Sequence, residues 1–189
     1  MTCVIGYVSD NGDIFMGSDS MAVSLTDWMI LREPKIFIKN DMIFGTASSL
    51  RFGQILKYSF NAPLHLENIS TNEYICHDVM IELNKTFEKV SYKKDDKDDD
   101  EDWTFLLGYQ GRLYTVQSNL QIVEDVNRYA TIGCGGDFAK GALYVMDQLN
   151  KTPENKITKA LEAASQFSMV KEPFHILKLD FKQNSETNN

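Results

Sequence analysis

A few short stretches of this sequence carry residue types that could act on a chemical bond. Thr2 follows Met1, so removal of Met1 would leave a hydroxyl and a free α-amine on one residue. An α-amine titrates near about pH 8 and can take a hydroxyl proton, which lets one threonine serve as nucleophile and base together. Asp19, in Gly17-Ser18-Asp19-Ser20, and Lys35, in Arg32-Glu33-Pro34-Lys35-Ile36, sit at the ends of apolar runs. There they are either surface charges or a cation and the carboxylate that fixes it beside a nucleophile. Gly133-Cys134-Gly135-Gly136 offers backbone amides ahead of a helical pattern, either as a tight packing turn or as a cradle for polar substrate atoms. It is not a phosphate loop, because Asp137-Phe138-Ala139 follows where that pattern needs Lys-Ser or Lys-Thr. His65, His77 and His175 have no metal-ligand spacing.

These residues need elements to hold them. Thr2 to Val8 and Asp13 to Gly17 flank the turn Ser9-Asp10-Asn11-Gly12, which predicts a hairpin. After a polar stretch ending at Pro34, Lys35 to Ile38 and Met42 to Gly45 flank Lys39-Asn40-Asp41 and predict a second. Leu50, Ile55, Leu56 and Phe60 recur at helical spacing, and a second helical pattern runs from Tyr74 to Phe87. Thr104 to Gly108 and Arg112 to Val116 form a third hairpin around Tyr109-Gln110-Gly111. Tyr129 to Ile132 reads as a strand, Phe138 to Leu149 and Ile157 to Phe167 as helices, and Phe174 to Phe181 as a closing strand. Strands then helices, twice over, predict helical layers on antiparallel sheets rather than a doubly wound fold.

The 189 residues, 43% of them hydrophobic, suffice for one domain with a real core. It is expected to span 1–182, with an acidic loop at 91–102 and a polar tail at 183–189; no internal repeat is visible. Of the formal net charge of -8, the stretch from Asp95 to Asp102 supplies most, since seven of its eight residues are acidic and the other is Lys97. Like charges so dense repel one another, so a solvated loop is expected. An acidic chain does not grip nucleic acid or anionic lipid through a general basic surface. Cys3, Cys76 and Cys134 encode neither a disulfide framework nor a metal site. No window approaches the roughly 18 apolar residues of a membrane span, and a cytoplasmic protein is the expectation.

Taken in order, the motifs resemble the proteasome family of N-terminal-nucleophile hydrolases, most closely its bacterial HslV type. They are Thr2 with its small apolar strand; Gly17-Ser18-Asp19-Ser20; Lys35-Ile36-Phe37 before Asn40-Asp41-Met42-Ile43-Phe44-Gly45; and Ile132-Gly133-Cys134-Gly135-Gly136. With Ala160 to His175, the likeness spans most of the chain outside the acidic loop. It implies an α+β fold, the four-layer αββα sandwich, assembled as a homo-oligomeric ring around a chamber. Thr2 would be the nucleophile and Asp19 and Lys35 the charged pair beside it. Within Gly45-Thr46-Ala47-Ser48-Ser49, the Ser48 amide would stabilise the oxyanion, a role worth about 3 kcal/mol in other acyl-transfer enzymes. Thr46 would line the pocket for a substrate side chain, and Cys134 would complete the site.

Three residues depart from the family pattern: Ala47-Ser48 replaces the usual Ala-Gly, Cys134 a serine, and Gln166 an aspartate near the nucleophile. The expected activity is a threonine-type endopeptidase acting on peptides or unfolded proteins, with Met1 removed and an AAA+ ATPase as a partner. No cofactor is required for hydrolysis; a structural monovalent cation would sit near Ser165 to Ser168. The alternatives are a non-catalytic ring subunit of the same fold and an amidase acting on a small amide.

Overall fold

A computed structural model describes residues 2–24, 27–47, 49–92 and 103–181. The acidic segment 93–102, the tail 182–189 and Ser48 lie outside the described residues, so the expectations placed on them do too.

The first hairpin is β1 (Val4–Val8) and β2 (Ile14–Ser18), paired antiparallel from Val4↔Ser18 to Val8↔Ile14. The second is β5 (Ile36–Lys39) and β6 (Met42–Ala47), turning through Asn40 and Asp41, both at positive φ. Asparagine and aspartate tolerate that backbone better than other side chains. The third is β7 (Thr104–Tyr109) and β8 (Arg112–Gln117), extended by a two-residue β9 (Ile122–Val123) too short to leave a pattern in the sequence.

The polar stretch before Pro34 folds differently from expectation. It holds β3 (Met21–Ser24) and β4 (Asp27–Ile30), which form a separate two-stranded sheet. All four β4 residues are exposed, so no alternation of buried and solvated positions marks the strand. The helical pattern from Tyr74 to Phe87 also begins earlier and is less regular. An initial turn at α2 (Thr71–Glu73), capped by Ser70, leads through a π-helical segment at Tyr74–Val79 into α3 (Met80–Lys89). Helix α1 (Leu50–Tyr58) is capped by the Ser49 hydroxyl, which accepts from the Phe52 amide at 3.2 Å. The remaining elements are β10 (Tyr129–Ile132), α4 (Gly136–Met146), α5 (Pro153–Phe167, capped by Thr152) and β11 (His175–Leu179).

Two sheets stack in the middle. One has the order β10-β1-β2-β11 and the other β5-β6-β7-β8-β9, with every neighbouring pair antiparallel. The period-two rule of strands explains how one run of residues serves two interfaces. On β1 and β2, Val4, Ile14 and Met16 face the second sheet, while Ile5, Tyr7 and Phe15 pack beneath α4 and α5 with Leu143, Ile157 and Leu161. On β6 and β7, Ile43 and Leu106 face inward, while Phe44, Phe105 and Leu107 pack against Phe52, Leu56 and Leu83 of the other helical layer. The order is therefore helices, sheet, sheet, helices. Among the described residues, no helix is long and apolar enough to cross a membrane.

Candidate active site

The backbone before β1 is where the chemistry-bearing residues meet. Asp19 follows β2 directly and Lys35 precedes β5, so the ends of both sheets bring these charges to one point. Lys35 Nζ lies 3.2 Å from Thr2 Oγ1, 2.7 Å from Asp19 Oδ1 and 2.6 Å from the Met21 carbonyl, and donates to all three. An ammonium has three protons to donate, whereas a neutral amine has two, so this geometry suits the charged lysine. Burial pulls the Lys35 pKa below its ordinary value, and the Asp19 carboxylate opposes that pull.

Asp19 is held as firmly as the lysine it fixes. It is wholly buried, its Oδ1 also accepts from the Cys3 amide at 3.0 Å, and its Oδ2 accepts from the Met21 amide at 3.0 Å. The Asp19 amide in turn donates to the Cys3 carbonyl at 3.2 Å. Burial first, then the Asp19 charge, pushes the Cys3 thiol up to about 12, so Cys3 stays protonated and inert.

On the other side of Thr2 stands the glycine-rich turn. Gly135 donates its amide to the Thr2 carbonyl at 3.1 Å, the Thr2 nitrogen donates to Cys134 Sγ at 3.4 Å, and the Cys134 thiol reaches the Thr2 carbonyl at 3.6 Å. Gly133 makes this approach feasible. Its φ is +88°, and a Cβ there would stand 2.2 Å from the Thr2 carbonyl oxygen. Gly133→Ala should therefore displace Thr2, destabilise the fold by more than about 1 kcal/mol, and abolish whatever activity Thr2 supports. Gly141, exposed in α4 with nothing within 4 Å of an added Cβ, is the control: Gly141→Ala should stabilise by about 0.4–1 kcal/mol. Urea unfolding of both variants checks the contrast.

Thr2, Asp19, Lys35 and Cys134 are thus brought together, and Thr46 lies close by. The Thr46 amide donates to the Lys35 carbonyl at 3.0 Å, and Thr46 and Lys35 both line a cavity between the β4–β5 connection and α1. Gln166 is exposed near the end of α5, among the lining of a separate hollow with Met21, Trp28 and Met169. Ser165 and Ser168, where a cation was expected, donate their hydroxyls to the carbonyls of Glu162 and Ala164 at 2.7 Å each. Among the described residues no group of three or more His, Cys, Asp or Glu side chains could hold a metal ion. Residue types alone gave no hint of Met21, whose carbonyl and amide serve the pair, because backbone groups carry no sequence signature.

The order of helices, sheet, sheet and helices is the four-layer αββα sandwich of the proteasome-like N-terminal-nucleophile hydrolase fold. Solved structures of that kind superpose over nearly the whole chain. Bacterial BPH from Thiobacillus denitrificans matches at a TM-score of 0.76 and 19% identity over 95% of this chain and 98% of that one, and it has also been solved in complex with epoxomicin. Eukaryotic HslV from Trypanosoma brucei matches at 0.67 and 16% over 95% and 99%. Anbu from Pseudomonas aeruginosa, solved as a helical assembly, matches at 0.63 and 14% over 94% and 80%. No protein-family model and no curated protein matches the sequence.

Proposed function

We propose that this chain is a threonine-type peptidase subunit that cleaves peptide bonds of unfolded protein through Thr2. The observation that carries the reading is the Lys35 ammonium 3.2 Å from Thr2 Oγ1, itself fixed by a buried carboxylate. A cation at that distance stabilises negative charge on the oxygen and favours the neutral form of a nearby α-amine.

The steps follow from those atoms. The free α-amine of Thr2 takes the hydroxyl proton as Oγ1 forms a bond to the substrate carbonyl carbon. The C–N bond then breaks, the amine hands its proton to the leaving nitrogen, and an ester remains on Thr2. Water, deprotonated by the same amine, releases the acyl group and restores the hydroxyl. The mechanism requires Thr2 to be the first residue of the mature chain. The Ser48 amide, one residue beyond β6, is the proposed oxyanion donor.

Assembly is part of the reading. The Anbu helical assembly supports self-association of the fold. We place this chain in a homo-oligomeric, self-compartmentalising protease, cytoplasmic, with an AAA+ ATPase as the partner that feeds it. None of its three cysteines forms a disulfide, which suits a reducing compartment.

Epoxomicin, held by the BPH structure, is the probe. Intact mass should show a chain beginning at Thr2, and incubation with epoxomicin should add one inhibitor mass that maps to Thr2. A native chain with Met1 retained, or an adduct elsewhere, overturns the proposal.

A further inference from the structure

In the sequence, the proposed oxyanion donor Ser48 stands between two residues that are both held from outside the Thr2 cluster. Ala47 ends β6 and pairs with Thr104, the first residue of β7. Ser49 caps α1, and its hydroxyl already accepts from the Phe52 amide. A backbone amide stabilises a developing charge only when its direction is set in advance, so what holds these neighbours bears on the chemistry.

Ser49 has a second partner. The Tyr92 hydroxyl donates to Ser49 Oγ at 3.5 Å, and the way α3 ends is what brings it there. Val90 caps the helix and Ser91 turns into the left-handed region at φ +52°. The Ser91 amide then donates to the Glu88 carbonyl at 3.1 Å and the Tyr92 amide to the Phe87 carbonyl at 2.9 Å. These two bonds make a Schellman motif, with its customary apolar contact supplied by the Tyr92 ring 5.4 Å from that of Phe87. The motif fixes the Tyr92 backbone and Phe87 fixes its ring, so the hydroxyl is kept at the start of α1.

Trp103 acts on the same turn of helix. It directly precedes Thr104, is buried, and stacks on Phe52 with ring centroids 4.3 Å apart and 11° between planes. Phe87 lies 5.6 Å from both rings. Phe52, Phe87, Tyr92 and Trp103 thus form one aromatic cluster against the first turn of α1, and ring pairs at such separations favour particular geometries. The Lys35–Asp19 pair has its own anchors in the backbone of Met21 and Cys3. Loss of the Tyr92 hydroxyl should therefore disturb the oxyanion amide and leave that pair in place.

We infer that Tyr92 is a positioning residue for the oxyanion amide, acting through Ser49, and that Trp103 sets the turn of α1 on which Tyr92 acts. This rests on the peptidase reading above and deepens it by naming what fixes the amide. At 3.5 Å the bond is long beside the roughly 2.7–2.8 Å usual between hydroxyls, so its effect is a fraction of what the amide itself supplies.

Tyr92→Phe removes the hydroxyl and keeps the ring against Phe87. With a fluorogenic peptide, kcat should fall about fivefold, against about 10²–10³ for loss of a whole oxyanion donor, while KM stays within about twofold. A peptide aldehyde adds the Thr2 hydroxyl across its carbonyl and places a tetrahedral oxygen at the amide, so it should bind more weakly to Tyr92→Phe by the same factor. The matching peptide alcohol forms no adduct and should bind both proteins equally. Ser49→Ala should also lower kcat, and adding Tyr92→Phe to it should lower kcat no further. An unchanged kcat in Tyr92→Phe, a change confined to KM, equal weakening of aldehyde and alcohol, or effects that multiply in the double variant each overturn the inference. If wild type neither turns over the peptide nor forms an aldehyde adduct at Thr2, the peptidase reading fails and the positioning role falls with it. If wild type works through Thr2 and Tyr92→Phe matches it, the positioning role alone fails.

Discussion

Thr2→Ala is expected to lower peptide hydrolysis by at least about a thousandfold while leaving the fold intact. The size follows from the role: the oxygen that forms the bond is gone, and what survives is whatever binding and oxyanion stabilisation give over water, a residual of the kind seen when a catalytic nucleophile is removed elsewhere. The fold should survive because alanine retains the Cβ packed near Gly133 and the carbonyl that accepts from Gly135. A labelled unfolded protein, incubated with wild type and variant at equal concentration, gives the answer. Equal degradation rates would remove both the peptidase and the amidase from consideration and leave a non-catalytic subunit.

The second large effect falls on stability as well as activity. Asp19→Ala would leave Lys35 as a buried charge without its carboxylate, together with two buried amides, those of Cys3 and Met21, without their acceptor. Breaking a buried pair from one side typically costs about 3–5 kcal/mol, and orphaned amides add to it. The urea midpoint should drop accordingly, and turnover should be lost with it. Asp19→Asn is the informative partner, since it keeps the volume and one oxygen.

Asp19→Asn should also change the pH dependence of the protein. Lys35 already lies below its ordinary 10.5 through burial, and Asp19 is the largest influence raising it. Removing that charge moves the lysine lower still, so the alkaline limb of kcat/KM should shift to lower pH. The unfolded chain then binds more protons than the folded one between the folded pKa and 10.5, so the stability of the variant should rise with pH across that window. It is lost again as pH falls through the folded value.

Much of this was legible in the residues. Hairpins announced themselves through Asn11-Gly12, Asn40-Asp41 and Gln110-Gly111, turn residues that set the backbone locally. The two helical layers announced themselves through apolar spacing, and the residue types at 2, 19 and 35 offered a hydroxyl, a carboxylate and a cation before any contact between them was known. Strand β4 escaped because nothing covers it, and a strand without a buried face has no period to detect. Gln166 was read against an aspartate near the nucleophile, yet its exposed position depends on how α5 ends against the sheet, which no local pattern encodes.

The sequence by itself determined the order of the three hairpins, the main helices and the closing strand, and the kind of reaction Thr2 could support. These depend on local backbone preference and on periods of two and 3.6, which act over a few residues. The tertiary structure alone decided that Lys35 reaches Thr2, that Gly133 presses against the Thr2 carbonyl through the pairing of Val4 with Ile132, and that Lys57 closes on Glu33. Those contacts join residues 24 to more than 100 positions apart. Their register is chosen by which arrangement buries both faces of two sheets at once, a property of the whole chain that no single stretch carries.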